Sequence, residues 1–265
     1  MRKVRLFAPG AVAVVTGAAG GLGTAIVDTL ASAGCRVLAV DVSRDGLQRL
    51  ADIHPSICTF AVDLTADDAP SEVVKAAVQA YGALHVLVNN AGITRHGRAL
   101  EFPGHEWDRV MDINLRVPFL LSQASARVMS GGGSIVNIGS IGGRTANPNN
   151  VPYGVSKTAL LGLTMHLALE WGPLGIRVNA VNPGMTTSSM HGLVVTDAMK
   201  DAQAELVPLG RLPDPFDVAD AVAFLASDHA RSVTGAVLDV DGGYLLSLMS
   251  TLPRGETRGT RSPAT

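Results

Sequence analysis

With 265 residues, the chain has room for one large α/β domain or two small ones. Its formal net charge of −2, with 17% charged residues, argues against a nucleic-acid binder, which carries a basic surface excess, and offers no polybasic membrane contact. Ala, Gly and Val are abundant while aromatics make up only 4%, a composition suited to helices packed closely on a parallel sheet. Cys35 and Cys58 show no metal or disulfide spacing and read as small core residues. The basic start MRKVRLFAPG is followed by AVAVV, too short for a signal-peptide core, and no uncharged run approaches a membrane span. The expectation is a cytoplasmic protein with no membrane or nucleic-acid partner.

In chain order, Val12–Val15 is a continuous apolar run, the mark of a strand buried on both faces. A glycine loop follows, then a helical pattern through Ile26, Leu30 and Ala33 that stops at Gly34. A second strand covers Arg36–Val40 and ends at Asp41, and a helix covers Arg44–Ala51. The third strand, Ile57–Val62, ends at Asp63, and Ser71 is placed to cap a helix reaching Tyr81. His85–Val88 is the fourth strand and runs into Asn89-Asn90-Ala91-Gly92. A long helix over Gly104–Met129 should bend at Pro118, which lacks a backbone donor. The fifth strand is Ile135–Ile138, and the next helix runs through Leu160, Leu163 and Leu167 to Gly172-Pro173. Strand six, Ile176–Val181, leads into Asn182-Pro183-Gly184. Residues 185–208 read as a mobile flap, Asp217–Ala226 as a helix, Ala236–Val240 as the seventh strand, and 251–265 as a disordered tail.

Strand and helix alternate without an interior linker. That implies a single domain over 1–250: an α/β Rossmann fold with a doubly wound, seven-stranded parallel sheet and helices on both faces. Ligands of such sheets bind at the carboxyl ends of the strands. Gly17, Asp41, Asp63, Asn90, Ser140 and Pro183-Gly184 each fall at such an end.

The first of those ends carries Thr16-Gly17-Ala18-Ala19-Gly20-Gly21-Leu22-Gly23, a TGxxxGxG spacing. Glycine permits close backbone approach, and the N-terminus of the following helix offers unpaired N–H groups to a diphosphate. A glycine turn needed only for tight packing is the other reading. Asp41, 24 residues after Gly17, stands where an acid can accept hydrogen bonds from the adenosine ribose and repel a 2′-phosphate, favouring NAD over NADP. No basic residue lies in the glycine loop, although Arg44 is near. Asp63 could accept from the adenine amino group or merely cap a turn.

Tyr153 and Lys157 stand one helical turn apart, on one face, 13 and 17 residues after Ser140. A phenol has an ordinary pKa near 10, and a fixed ammonium beside it favours the phenolate, bringing it into range for proton transfer near neutrality. Ser140 could hold a substrate oxygen beside the phenol. Alone, the pair is matched equally well by a helix start with a buried Tyr and a solvated Lys.

Taken together, TGxxxGxG at 16–23, NNAG at 89–92, Ser140, YGVSK at 153–157 and NPG at 182–184 resemble the short-chain dehydrogenase/reductase family over about residues 8–246. The resemblance implies Tyr153 as the proton donor or acceptor, and Lys157 as its partner and a ligand of the nicotinamide ribose. It also implies Ser140 as the group orienting the substrate oxygen. Asn114 matches a fourth catalytic residue, which in the family supports a bend and a water linking the lysine to solvent. Gly17, Gly20, Gly21, Leu22, Gly23, Asp41, Asp63, Leu64, Asn90, Gly92, Tyr153, Lys157, Pro183, Gly184 and Thr186 would line the cofactor. Ser188 stands where many relatives carry Thr and keeps a hydroxyl for the carboxamide.

The implied reaction is hydride exchange between NAD(H) and a secondary alcohol or ketone, with no metal required. The substrate is expected to be small and partly apolar, since 185–208 contains Met190, Leu193, Val194, Val195 and Met199. An NADPH-dependent 3-oxoacyl thioester reductase is the alternative, suggested by NNAGITR, and a cofactor-binding regulatory protein without turnover is the non-enzymatic one. Relatives pair their two central helices across a two-fold axis, so a homotetramer is expected, with a dimer as the alternative.

Overall fold

The computed structural model describes residues 6–187 and 196–247. The proposed tail at 251–265, Ser188 and the segment 188–195 of the expected flap lie outside the described residues. Seven parallel strands form one sheet in the order β3-β2-β1-β4-β5-β6-β7. They are β1 (Val12–Thr16), β2 (Arg36–Asp41), β3 (Cys58–Ala61), β4 (Val86–Asn89), β5 (Gly133–Ile138), β6 (Ile176–Pro183) and β7 (Val237–Val240). Strand order reverses between β1 and β4, where Ala13 pairs with Val86 and Val15 with Val88. A crevice opens at such a reversal.

Side-chain alternation along the strands separates two cores. On one face Ala13, Val15, Val37, Ala39, Val88, Val136 and Val181 meet Ile26 and Leu30 of α1 (Gly21–Ser32), Leu47 and Leu50 of α2 (Arg44–Ile53), and Val222 of α8 (Pro215–Ala226). On the other, Val14, Leu38, Val40, Leu87, Ile135 and Val178 meet Val73 of α3 (Ala69–Tyr81). Leu121 of α5 (Val117–Ala126) and Leu167 and Trp171 of α6 (Val151–Trp171) complete that face. Each fully buried aliphatic chain contributes about 1.5–3 kcal/mol. All five residues of β1 are buried, as its unbroken apolar run requires.

Four features depart from the sequence reading. The third helix begins at Ala69 with Pro70 in its first turn and Asp68 before it. Ser71 is therefore inside the helix, where its hydroxyl donates to Asp68 O at 2.7 Å. The expected long helix is broken into α4 (Gly104–Met111), a π-helical segment (Asp112–Arg116) and α5, and it ends at Ala126. The irregularity falls one turn before Pro118. Proline cannot donate to the carbonyl four residues back, and Val117 N–H instead reaches five back to Asp112 O. Within 185–208 lies a helix, α7 (Asp197–Ala204), capped by Thr196, whose side chain accepts from Met199 N–H. A short α9 (Tyr244–Ser247) follows β7. Among the described residues, no helix is long and apolar enough to cross a membrane.

Candidate active site

At the carboxyl edge of the sheet lies a cleft of about 390 Å³. Its lining brings together Gly17, Gly20, Gly21, Leu22, Gly23, Asp41, Asp63, Leu64, Asn90, Gly92, Ser140, Tyr153, Lys157, Pro183, Gly184 and Thr186. Every sequence-derived site residue among the described ones lines it, except Asn114, which is fully buried just behind.

The glycine loop is shaped by its own backbone and by β4. Gly17 has φ of +63°, and a Cβ there would lie 2.8 Å from Ala91 Cα. A Cβ on Gly23 would strike Gly17 O. Thr16, buried at the end of β1, accepts at Oγ1 from Asn90 N–H and Ala91 N–H, each at 3.0 Å. Asn90 Nδ2 donates to Thr16 O and Gly17 O at 2.9 and 3.0 Å. Asn90 thus fixes the loop from behind while also facing the cleft. No side chain caps α1 at Gly20, so the first-turn N–H groups of the helix remain available to an anion. Backbone donors, a helix N-terminus and room that a single Cβ would fill suit a dinucleotide diphosphate.

At one end of the cleft, Asp41 accepts from Ala19 N–H at 3.0 Å and from Ser43 N–H at 2.9 Å, one bond to each carboxylate oxygen. Asp63 Oδ1 accepts from Thr65 N–H and Thr65 Oγ1–H at 3.0 and 2.8 Å. Those bonds, led by the backbone one, hold its carboxyl below the usual range. Asp63 therefore caps a turn and faces the cleft as well, so its two readings coexist.

At the other end stand Ser140, Tyr153 and Lys157. Ser140 Oγ accepts from Gly142 N–H at 3.0 Å, leaving its own proton to donate. Burial pushes the Tyr153 phenol upward, and its hydrogen bond with Ser140 pulls the other way. Lys157 Nζ donates to Ile138 O at 2.8 Å and lies 5.8 Å from the centre of the Tyr153 ring. Its burial brings the amine from 10.5 down to about 8. Geometry thus unites the pair, while burial holds the phenol up and Ser140 is the group that favours the phenolate.

Asn114 lies in the π-helical segment. Its Oδ1 accepts from Ile93 N–H at 2.9 Å, and its Nδ2 donates to Ile93 O at 2.9 Å and to Ser156 Oγ at 3.0 Å. Ser156 Oγ donates in turn to Tyr153 O at 2.7 Å. Asn114 therefore ties the loop that follows NNAG to the helix carrying Tyr153. A Cβ on Gly92 would sit 3.2 Å from Asn114 Oδ1 and 3.4 Å from Lys157 Nζ, so glycine there leaves both side chains their places.

Sequence reasoning gave no role of their own to Thr94 and Ser156. Thr94 Oγ1 donates to Asn150 Oδ1 at 3.0 Å, clasping the loop after β4 to the start of α6. Asn149, with φ of +59°, precedes that start, and its carbonyl accepts from Gly97 N–H at 2.9 Å. Asn-Asn before an apolar helix was a visible signal of a left-handed turn, since Asn tolerates that region better than most residues.

A doubly wound sheet, a glycine cradle at its switch point and an acid/base pair beside it define a nucleotide-dependent redox enzyme. The family model described as enoyl-(acyl carrier protein) reductase matches residues 17–245. The chain is 37% identical to D-threitol dehydrogenase of Mycolicibacterium smegmatis over 246 residues, covering 89% of this chain and 94% of that one. It is also 37% identical to a 3-oxoacyl-(acyl-carrier-protein) reductase of Thermotoga maritima over 243 residues, covering 89% and 98%. A solved structure from Sinorhizobium meliloti, assigned as a short-chain alcohol dehydrogenase, superimposes with a TM-score of 0.86 at 34% identity, covering 92% of this chain and all of that one. The chain belongs to the short-chain dehydrogenase/reductase family, as its motifs led one to expect. Its members are oxidoreductases acting on CH–OH groups with nicotinamide cofactors.

Proposed function

We propose that the protein is an NAD(H)-dependent oxidoreductase that interconverts a secondary alcohol and a ketone on a small, partly apolar metabolite. The observation that carries this reading is one cleft with Asp41 at one end and Ser140, Tyr153 and Lys157 at the other. When bound, the nicotinamide cofactor supplies the hydride acceptor or donor. The N–H groups of 17–23 hold its diphosphate, and Asp63, Leu64, Pro183, Gly184 and Thr186 line its two ends. Asp41 offers carboxylate lone pairs to ribose hydroxyls and opposes a 2′-phosphate. Tyr153 Oη gives its proton to a carbonyl oxygen, or takes one from a hydroxyl. Ser140 hydrogen-bonds that same oxygen and steadies the phenolate. Lys157 supports the negative phenol through space, and Asn114 ties the loop at Ile93 to the helix that carries both.

A second reading, an NADPH-dependent 3-oxoacyl thioester reductase, draws support from the Thermotoga relative. Asp41 opposes it. The test is NAD+ reduction across secondary alcohols, polyols, steroids and hydroxyacyl thioesters, with NADP+ in parallel. We expect NAD+ to be preferred by about a hundredfold or more in kcat/KM, since a carboxylate–phosphate clash costs several kcal/mol. Asp41→Ala should shrink that preference; equal kcat/KM with both cofactors in the wild type would refute the assignment.

We also propose a homotetramer, with a dimer as the alternative. On helix α6 Val155, Met165 and Leu169 are exposed, with Phe119 on α5. A monomer mass in light scattering would exclude this. The segment 185–208 is proposed to close over the substrate.

A further inference from the structure

Behind Ser140, a chain of polar side chains runs outward across three elements. Ser140 N–H donates to Asn182 Oδ1 at 3.0 Å, and Asn182 Nδ2 donates to Asp239 Oδ1 at 2.9 Å. Arg144 Nη1 donates to the other carboxylate oxygen, Asp239 Oδ2, at 2.7 Å. Asn182 is fully buried, and it is the register partner of Asp239 between β6 and β7. A Cβ on Gly139 would collide with Asn182 Oδ1, so glycine lets that amide press against the backbone.

The two ends of an amide differ in what they can bond: oxygen accepts and nitrogen donates. A carboxylate only accepts. Asp239 therefore captures the nitrogen end of Asn182 and leaves its oxygen for Ser140 N–H. Were the amide to turn over, its NH2 would face that N–H, donor against donor, in a buried place where such a mismatch costs most. Arg144, the residue after the 3-10 turn Ile141–Gly143, offsets the charge on Asp239 and ties that turn to β7. Ser140 Oγ is held inside the same turn by Gly142 N–H.

We propose that Asp239 and Arg144 are positioning residues for Ser140: by fixing the orientation of the Asn182 amide they fix the direction of the Ser140 hydroxyl. This rests on the reading of Ser140 and Tyr153 as the groups that meet the substrate oxygen.

The test compares Asp239→Ala with a swapped pair, Asn182→Asp combined with Asp239→Asn. The swap keeps each donor and acceptor in the chain: the new carboxylate accepts from Ser140 N–H and from the new amide, whose oxygen accepts from Arg144. Hydrogen exchange by mass spectrometry reports the peptide around Ser140 and needs no turnover. Asp239→Ala should speed exchange there by about tenfold, and the swap should return it to the wild-type rate. NADH affinity should stay within about twofold in both. With diacetyl and NADH as the probe reaction, kcat should fall in Asp239→Ala at unchanged KM and recover in the swap. Wild-type exchange in Asp239→Ala, a swap as fast as Asp239→Ala, or a parallel loss of NADH affinity would each overturn the proposal. If Asp239→Ala does not fold, Arg144→Gln at its half-exposed position takes its place, and wild-type exchange there overturns the proposal. Absence of diacetyl reduction by the wild type would count against the oxidoreductase reading alone, because the exchange result stands without it.

Discussion

Replacing Lys157 by Met should make the protein more stable at neutral pH while stopping the chemistry. The amine is 4% exposed, and burial depresses it from 10.5 to about 8. The unfolded chain therefore holds this proton more tightly than the native one. The resulting cost to the folded state is fully present below about pH 8 and relieved as pH rises to 10.5. A shift of that size corresponds to about 3 kcal/mol. Against it stands the bond to Ile138 O, whose loss leaves a buried carbonyl short of a partner at about 1–2 kcal/mol. Lys157→Met should thus gain about 1–2 kcal/mol at pH 7, read as a Tm higher by about 2–6 °C. Urea or thermal unfolding measured at several pH values is the assay. The gain should shrink as pH climbs from 8 towards 10.5, where the wild-type amine is neutral anyway. A variant less stable than wild type at pH 7, or a difference that does not change with pH, would refute the reasoning.

Tyr153→Phe should bind NADH as the wild type does, by fluorescence titration, while turnover falls by about a hundredfold or more. Gly17→Ala should destabilise by about 1–3 kcal/mol and weaken NADH binding, since φ of +63° and Ala91 at 2.8 Å leave a methyl no space. Asn114→Ala should cost about 2–4 kcal/mol in chemical denaturation, because both backbone polar groups of Ile93 lose their partner. Its kcat should fall with little change in NADH affinity.

The sheet was legible because each central strand is a short unbroken apolar run between glycine or Asx signals, as at Val12–Thr16 before Gly17. The cleft was legible because its residues sit at strand ends, where the fold must place them. What escaped depends on contacts remote in sequence. The break at Asp112–Arg116 answers a proline one turn later and an asparagine that must face inward. Asp239 carries no signal of its own in the sequence, and its part appears only with its register opposite Asn182. The expected effect of Lys157 on Tyr153 rested on charge alone; spacing in a sequence carries no measure of burial, which here governs both groups.

The five residues Asp112–Arg116 form a wider turn than an α-helix would, so the run from Gly104 to Ala126 carries one residue more than a regular rod of that length. Removing a single residue from this turn would wind it into ordinary helix and leave the helix downstream in its place, because the wide turn absorbs the extra residue locally. Leu121 would keep its seat beneath the sheet, whereas the inward asparagine would lose the turn that aims it. A deletion here would thus spare the packing of α5 and strike only the bonds that Asn114 makes to Ile93 and Ser156.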